Sequence, residues 1–172
     1  VTRYVVLLRG VNVGGVNVKM AELAALVRSR GYEDVKTVLA SGNVVLESPD
    51  AASGIKQTLQ SALRERFGYE AWVQVLTTAA LERIVAGYPF QRGREGWHDY
   101  VMFTEKAETR DALLAVELDP ALEKAAGGAG VVYWTVERGS TLSSALGKTM
   151  GAAKFKPWLT TRNVNTLEKL VR

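Results

Sequence analysis

RYVVLLRGVNVGGVNVKMAELAALVRSRG, residues 3–31, is the stretch on which the fold turns. Arg3–Arg9 is rich in Val and Leu and carries a Tyr, which reads as a strand buried on both faces. Gly10–Lys19 is a Gly/Asn-rich loop. Met20, Leu23, Ala24 and Val27 then recur at helical spacing, and Gly31 closes that helix. A strand, a loop and an amphipathic helix in this order open a split βαβ unit.

The next segments continue the pattern. Val35–Leu39 and Val44–Glu47 read as short strands joined by Ala40-Ser41-Gly42-Asn43, short enough for a tight turn. Ser48-Pro49-Asp50 reads as a helix start, and Ile55, Leu59, Ala62 and Leu63 give the helix its apolar stripe. Trp72–Leu76 alternates as a fourth strand. The order β-α-β-β-α-β is the ferredoxin-like pattern, or α/β plait.

The second half reads as a further, less regular α/β unit. Leu81, Ile84, Val85 and Tyr88 mark a third helix, and Pro89–Trp97, with Gly93 and Gly96, reads as a linker. Tyr100–Thr104 and Val131–Glu137 read as strands, and Thr109–Val116 as a short helix. Asp119–Lys124 is expected to add a turn of helix, and Ala125–Gly130 a small flexible loop. Leu142, Leu146 and Met150 fall on one helical face, and Leu167, Leu170 and Val171 on another, with Asn165 and Glu168 spaced as a capping box. The expected class is α+β: tandem ferredoxin-like subdomains with antiparallel sheets, residues 1–88 and 98–172, joined by a linker at 89–97.

Composition narrows the chemistry. Of 172 residues 47% are hydrophobic and 23% charged, as in a folded globular chain rather than a disordered one. No apolar run reaches the roughly 18–20 residues that span a bilayer, and no targeting signal is visible, so a cytoplasmic protein with no membrane partner is expected. With no cysteine, disulfides, thiolate zinc sites, iron–sulfur clusters and thiol nucleophiles are excluded. His98 is the only histidine and sits beside Asp99 on a strand, where neighbours face opposite ways and make a poor dyad. It reads as a surface or packing residue, and no metal site is expected.

Nucleotide-binding fingerprints also fail. The loop Gly10-Val11-Asn12-Val13-Gly14-Gly15 follows a strand but lacks the G-x-G-x-x-G spacing. Gly147-Lys148-Thr149 resembles the end of a P-loop, yet the partner glycine would have to stand at Leu142. No cofactor is implied.

What remains is charge and three polar clusters. The net charge is +4, but the segment from Arg138 onward holds seven basic residues and one acid, +6, against −2 for the rest. The clusters are Arg9, Gly10, Asn12, Gly14 and Gly15; Ser41-Gly42-Asn43; and Thr160, Thr161, Arg162 and Asn163. Glycines after a strand let backbone N–H groups approach an anion. Arg9 and Arg162 are suited to grip a phosphate or carboxylate with two parallel hydrogen bonds, and the neutral side chains to orient a ligand. The same residue types also make turns and helix caps without any ligand.

On these clusters the chain resembles a known family. Val5–Gly15, Met20-Ala21-Glu22-Leu23, Ser41-Gly42-Asn43-Val44-Val45 and Thr160-Thr161-Arg162-Asn163 with Asn165-Thr166 are similar to the family called domain of unknown function 1697. One departure is Val164, where the family typically carries tryptophan. The resemblance implies two ferredoxin-like α+β subdomains and brings no established activity.

The leading expectation is therefore an uncharacterised protein that binds a phosphate-bearing ligand, a nucleotide or nucleic acid, through Gly/Asn/Arg loops. The run Lys154-Phe155-Lys156-Pro157-Trp158 adds bases interleaved with aromatics, whose rings are equally at home in a core. Two other readings stay open. One is an enzyme on a small anionic substrate, with Ser41, Thr161 or His98 supplying the chemistry. The other is a structural or protein-interaction domain, including a homodimer paired through an open sheet face or edge.

Overall fold

A computed structural model describes residues 1–10 and 16–172. The chain forms two compact units, Val1–Glu82 with Glu168–Arg172, and Arg83–Leu167.

The first unit contains β1 (Thr2–Arg9), α1 (Met20–Ser29), β2 (Glu33–Thr37), β3 (Asn43–Ser48), α2 (Ala52–Phe67), β4 (Trp72–Thr77) and the start of α3 (Thr78–Ala86). Its four strands lie in the order β2-β3-β1-β4 and every pairing is antiparallel. This is the ferredoxin-like order expected from the sequence. Tyr4, Val6 and Leu8 of β1 pack with Leu23 and Val27 of α1 and Ile55, Leu59 and Leu63 of α2 in one core. Each such fully buried side chain contributes roughly 1.5–3 kcal/mol of transfer free energy. Val5 and Leu7, on the other face of β1, are buried too, so the middle of this central strand, Tyr4–Leu8, is buried on both faces.

The second unit repeats the topology. It comprises β5 (Trp97–Thr104), α4 (Ala107–Leu114), β6 (Glu123–Gly128), β7 (Val131–Glu137), α5 (Ala145–Met150), a 3-10 turn (Lys156–Trp158), β8 (Leu159–Asn163) and the start of α6 (Val164–Val171). The strand order β6-β7-β5-β8 is again antiparallel throughout. Met102, Leu113, Val132, Trp134, Val136, Leu146 and Leu159 form its core.

Several local expectations are corrected. Residues 123–128 are a strand, not helix and flexible loop: β6 pairs with β7 from Glu123↔Val136 to Gly128↔Val131. The turn before it, where Leu122 N and Glu123 N both donate to Asp119 O, accounts for the helical reading of 119–124. Ser48 ends β3 and is buried, its Oγ accepting from Asp50 N, and α2 begins only at Ala52. Tyr88 lies beyond the end of α3. Leu142 fits the helical period, but Ser144 caps α5 by accepting from Gly147 N and leaves Leu142 outside it, 86% exposed. The cap-like residue of α6 is Asn163, whose Oδ1 accepts from Asn165 N, rather than Asn165.

Candidate functional site

The described part of the first polar cluster, Arg9 and Gly10, meets the Ser41–Asn43 cluster at one end of the first sheet. Pairing of β1 with β3 sets Leu7 opposite Asn43, and Leu8 N donates to Gly42 O at 2.8 Å. Arg9, the last residue of β1, and Gly10 after it therefore lie beside the Ser41–Asn43 turn. Gly10 has φ +77° with open space around its absent Cβ, so backbone conformation alone favours glycine there. Asn12, Gly14 and Gly15 lie outside the described residues.

The Ser41–Asn43 cluster builds the turn itself. Asn43 is fully buried, and its Nδ2 donates to Val38 O at 2.8 Å and to Ser41 Oγ at 2.9 Å. Gly42 takes φ +82°. A buried amide left without such partners would cost about 1–3 kcal/mol, so these bonds fix the conformation of the turn beside Arg9.

Around Arg9 stand residues that the sequence alone did not single out. The β1–β4 register sets Arg9 opposite Trp72. The Arg9 guanidinium carbon lies 5.9 Å from the Trp72 ring centroid, and that of Arg64, from the last turn of α2, lies 5.1 Å from it. Arg64 Nη2 donates to Ala71 O at 3.1 Å, which anchors one arm of its fork. Tyr69 Oη is buried and makes no hydrogen bond among the described residues. Burial pushes the phenol up to about 12, and the Arg9 charge pulls it back in part. The signal that could have found these residues is topological: in a β-α-β-β-α-β unit the fourth strand lies beside the first, so Trp72 is brought to the end of β1.

The third cluster belongs to the second unit. β8 is an edge strand paired with β5, setting Thr160 opposite Phe103, Thr161 opposite Met102, Arg162 opposite Val101 and Asn163 opposite Tyr100. Thr160 and Arg162 are buried while Thr161 and Asn163 are half-buried, as strand alternation requires. Arg162 Nη1 donates to Thr161 O at 3.1 Å. Burial draws the guanidinium down to about 10, which still leaves a cation at neutral pH. Val164, the position of departure from the family pattern, is a buried first residue of α6.

A polar depression of about 170 Å³ opens in the second unit, lined by Arg94, Glu95, His98, Arg138, Asn163 and Asn165 among others. His98 lies against Tyr100, with ring centroids 5.5 Å apart. Asp99 is buried and accepts from Tyr88 Oη at 2.6 Å, Gly93 N at 3.0 Å and Thr135 Oγ1 at 3.4 Å. Burial and the Asp99 carboxyl beside it push the Tyr88 phenol well up. No hydrogen bond joins Asp99 to His98. Among the described residues no group of three or more His, Asp or Glu side chains could hold a metal ion, and no helix is long and apolar enough to cross a membrane.

A family model described as "Protein of unknown function (DUF1697)" matches residues 1–133. No curated protein matches the chain. Among solved structures, a conserved bacterial protein from Streptococcus pneumoniae is similar over 99% of this chain and 97% of its own, with a TM-score of 0.83 and 24% identity. That likeness is one of fold.

Proposed function

The chain belongs to the DUF1697 family, described as of unknown function, and from that premise we propose that it binds a phosphate-bearing ligand, a nucleotide or nucleic acid, at the open end of β1. The observation that carries this reading is the pair of guanidiniums, Arg9 and Arg64, on the single Trp72 ring where Gly10 turns out of the sheet. An arginine fork matches phosphate oxygens with two parallel hydrogen bonds, and an indole face stacks on bases. A sequence pI near 9.4 favours encounter with polyanions. A cytoplasmic location, where such ligands are abundant, belongs to the same proposal.

The test is anisotropy of a labelled single-stranded oligonucleotide, with adenosine monophosphate as competitor, between about 50 and about 200 mM salt. Binding is expected to weaken steeply as salt rises. Arg9→Ala and Arg64→Ala are each expected to weaken it about ten-fold for every sequence and to lower the salt slope by about one. Absence of binding by both oligonucleotide and mononucleotide at the lowest salt would overturn the reading.

A further inference from the structure

We propose that the second unit carries its own site for a small doubly charged oxyanion, such as a phosphate monoester terminus, in the depression formed by residues 93–98, the end of β7 and the start of α6. It stands independently of the site at the end of β1.

Arg94 and Arg138 both line the depression, both are exposed, and neither forms an ion pair among the described residues. Arg94 is held on one side by its stack on Trp97, 4.4 Å from guanidinium to ring centroid. Arg138 is placed by its backbone, whose N–H donates to Gly96 O at 2.8 Å. Two acids share the lining, and they are not equivalent. Asp99 is buried with both oxygens accepting hydrogen bonds from within the unit, so it presents no bare carboxylate to a ligand. Glu95 is exposed and opposes an anion.

Neutral donors complete the set. Asn163 has its oxygen engaged by Asn165 N, which leaves its NH2 group as the donor end. Asn165 and the His98 imidazole each offer a further N–H. Size decides what part of a ligand fits. About 170 Å³ is below the roughly 300–1,000 Å³ of pockets that enclose a whole drug-sized molecule, so the depression suits a phosphate group rather than a whole nucleotide.

The test uses the ring-proton resonances of His98, which are unique because the chain has one histidine. The full chain is titrated with inorganic phosphate, with sodium acetate in a second arm and sodium chloride at matched ionic strength as the control. Phosphate is expected to give a saturable shift that chloride does not, with acetate binding more weakly. Arg138→Ala is expected to weaken phosphate binding about ten-fold or more, and Glu95→Gln to tighten it. Both side chains are exposed, so both variants keep the fold. A phosphate shift no different from that of chloride, or Arg138→Ala binding as tightly as the parent, overturns the site. Acetate binding as tightly as phosphate overturns the assignment to a doubly charged oxyanion.

Discussion

Gly147→Ala is expected to destabilise the second unit by about 3 kcal/mol or more. Helix propensity alone forecasts the opposite sign, because alanine gains roughly 1 kcal/mol over glycine inside a helix. Sterics decide the outcome. A Cβ at Gly147 would stand 1.9 Å from Thr141 O and 2.9 Å from Thr141 C. These are backbone atoms of the turn leading into α5, and they cannot swing aside as a side-chain tip can. The same residue donates its N–H to the Ser144 cap at 3.1 Å, so moving α5 away also breaks the cap. Gly54→Ala in α2 is the matched control: its Cβ would meet nothing within 4 Å, and the change is expected to stabilise by a few tenths to about 1 kcal/mol. Urea unfolding of both variants, with amide exchange in β7 reporting the second unit, checks the pair. Equal and small effects would mean that α5 and the 140–143 turn are not packed this closely.

The second large effect is expected at Glu123. This side chain is 1% exposed and ties three elements together. Oε1 accepts from Trp134 Nε1 on β7 at 3.0 Å, and Oε2 accepts from Leu146 N in the first turn of α5 at 3.4 Å. Glu123→Leu leaves the buried indole and the helix N–H without acceptors, an expected loss of about 2–4 kcal/mol. Glu123→Gln keeps one oxygen and turns an amide nitrogen toward one of the two donors, so a loss of about 1–2 kcal/mol is expected. Unfolding midpoints should rank the parent above Gln and Gln above Leu. If Leu is tolerated within about 0.5 kcal/mol, the carboxyl group is not the connector described.

These two residues also mark where the sequence was hard to read. The first unit was legible because β1 and β3 carry runs of Val and Leu and its helices keep a strict apolar period, as at Ile55, Leu59 and Leu63. β6 was not, because Ala125-Ala126-Gly127-Gly128 has almost no intrinsic strand preference. Its small residues follow from packing: a Cβ at Gly127 would come 2.8 Å from Leu114 Cδ1, and one at Gly128 2.8 Å from Tyr133 Cε2. Pairing with β7 makes the strand, and pairing is invisible to a local reading. Gly147 lay in a rejected P-loop match, and its reason for being glycine is a contact with a residue six positions earlier.

The candidate site shows the same division. Arg9 was legible as a cation at a strand end beside a glycine turn. Ser41 and Asn43 were legible as a polar cluster, and the turn they form was already among the readings of that cluster. Trp72, Arg64 and Tyr69 were not found, since they are more than fifty residues from Arg9 and only the β1–β4 register brings them to it. Arg94 and Arg138 sat in segments read as linker and basic excess, and the folded second unit brings them to one depression.

The most direct test of ligand binding at the end of β1 is an amide and indole N–H shift map of the full chain, titrated with adenosine monophosphate. The expected result is a saturable shift at the Trp72 indole and at the amides of Arg9, Gly10 and Gly42, lost in Arg9→Ala. Saturable binding whose shifts leave those four groups unmoved would contradict the account.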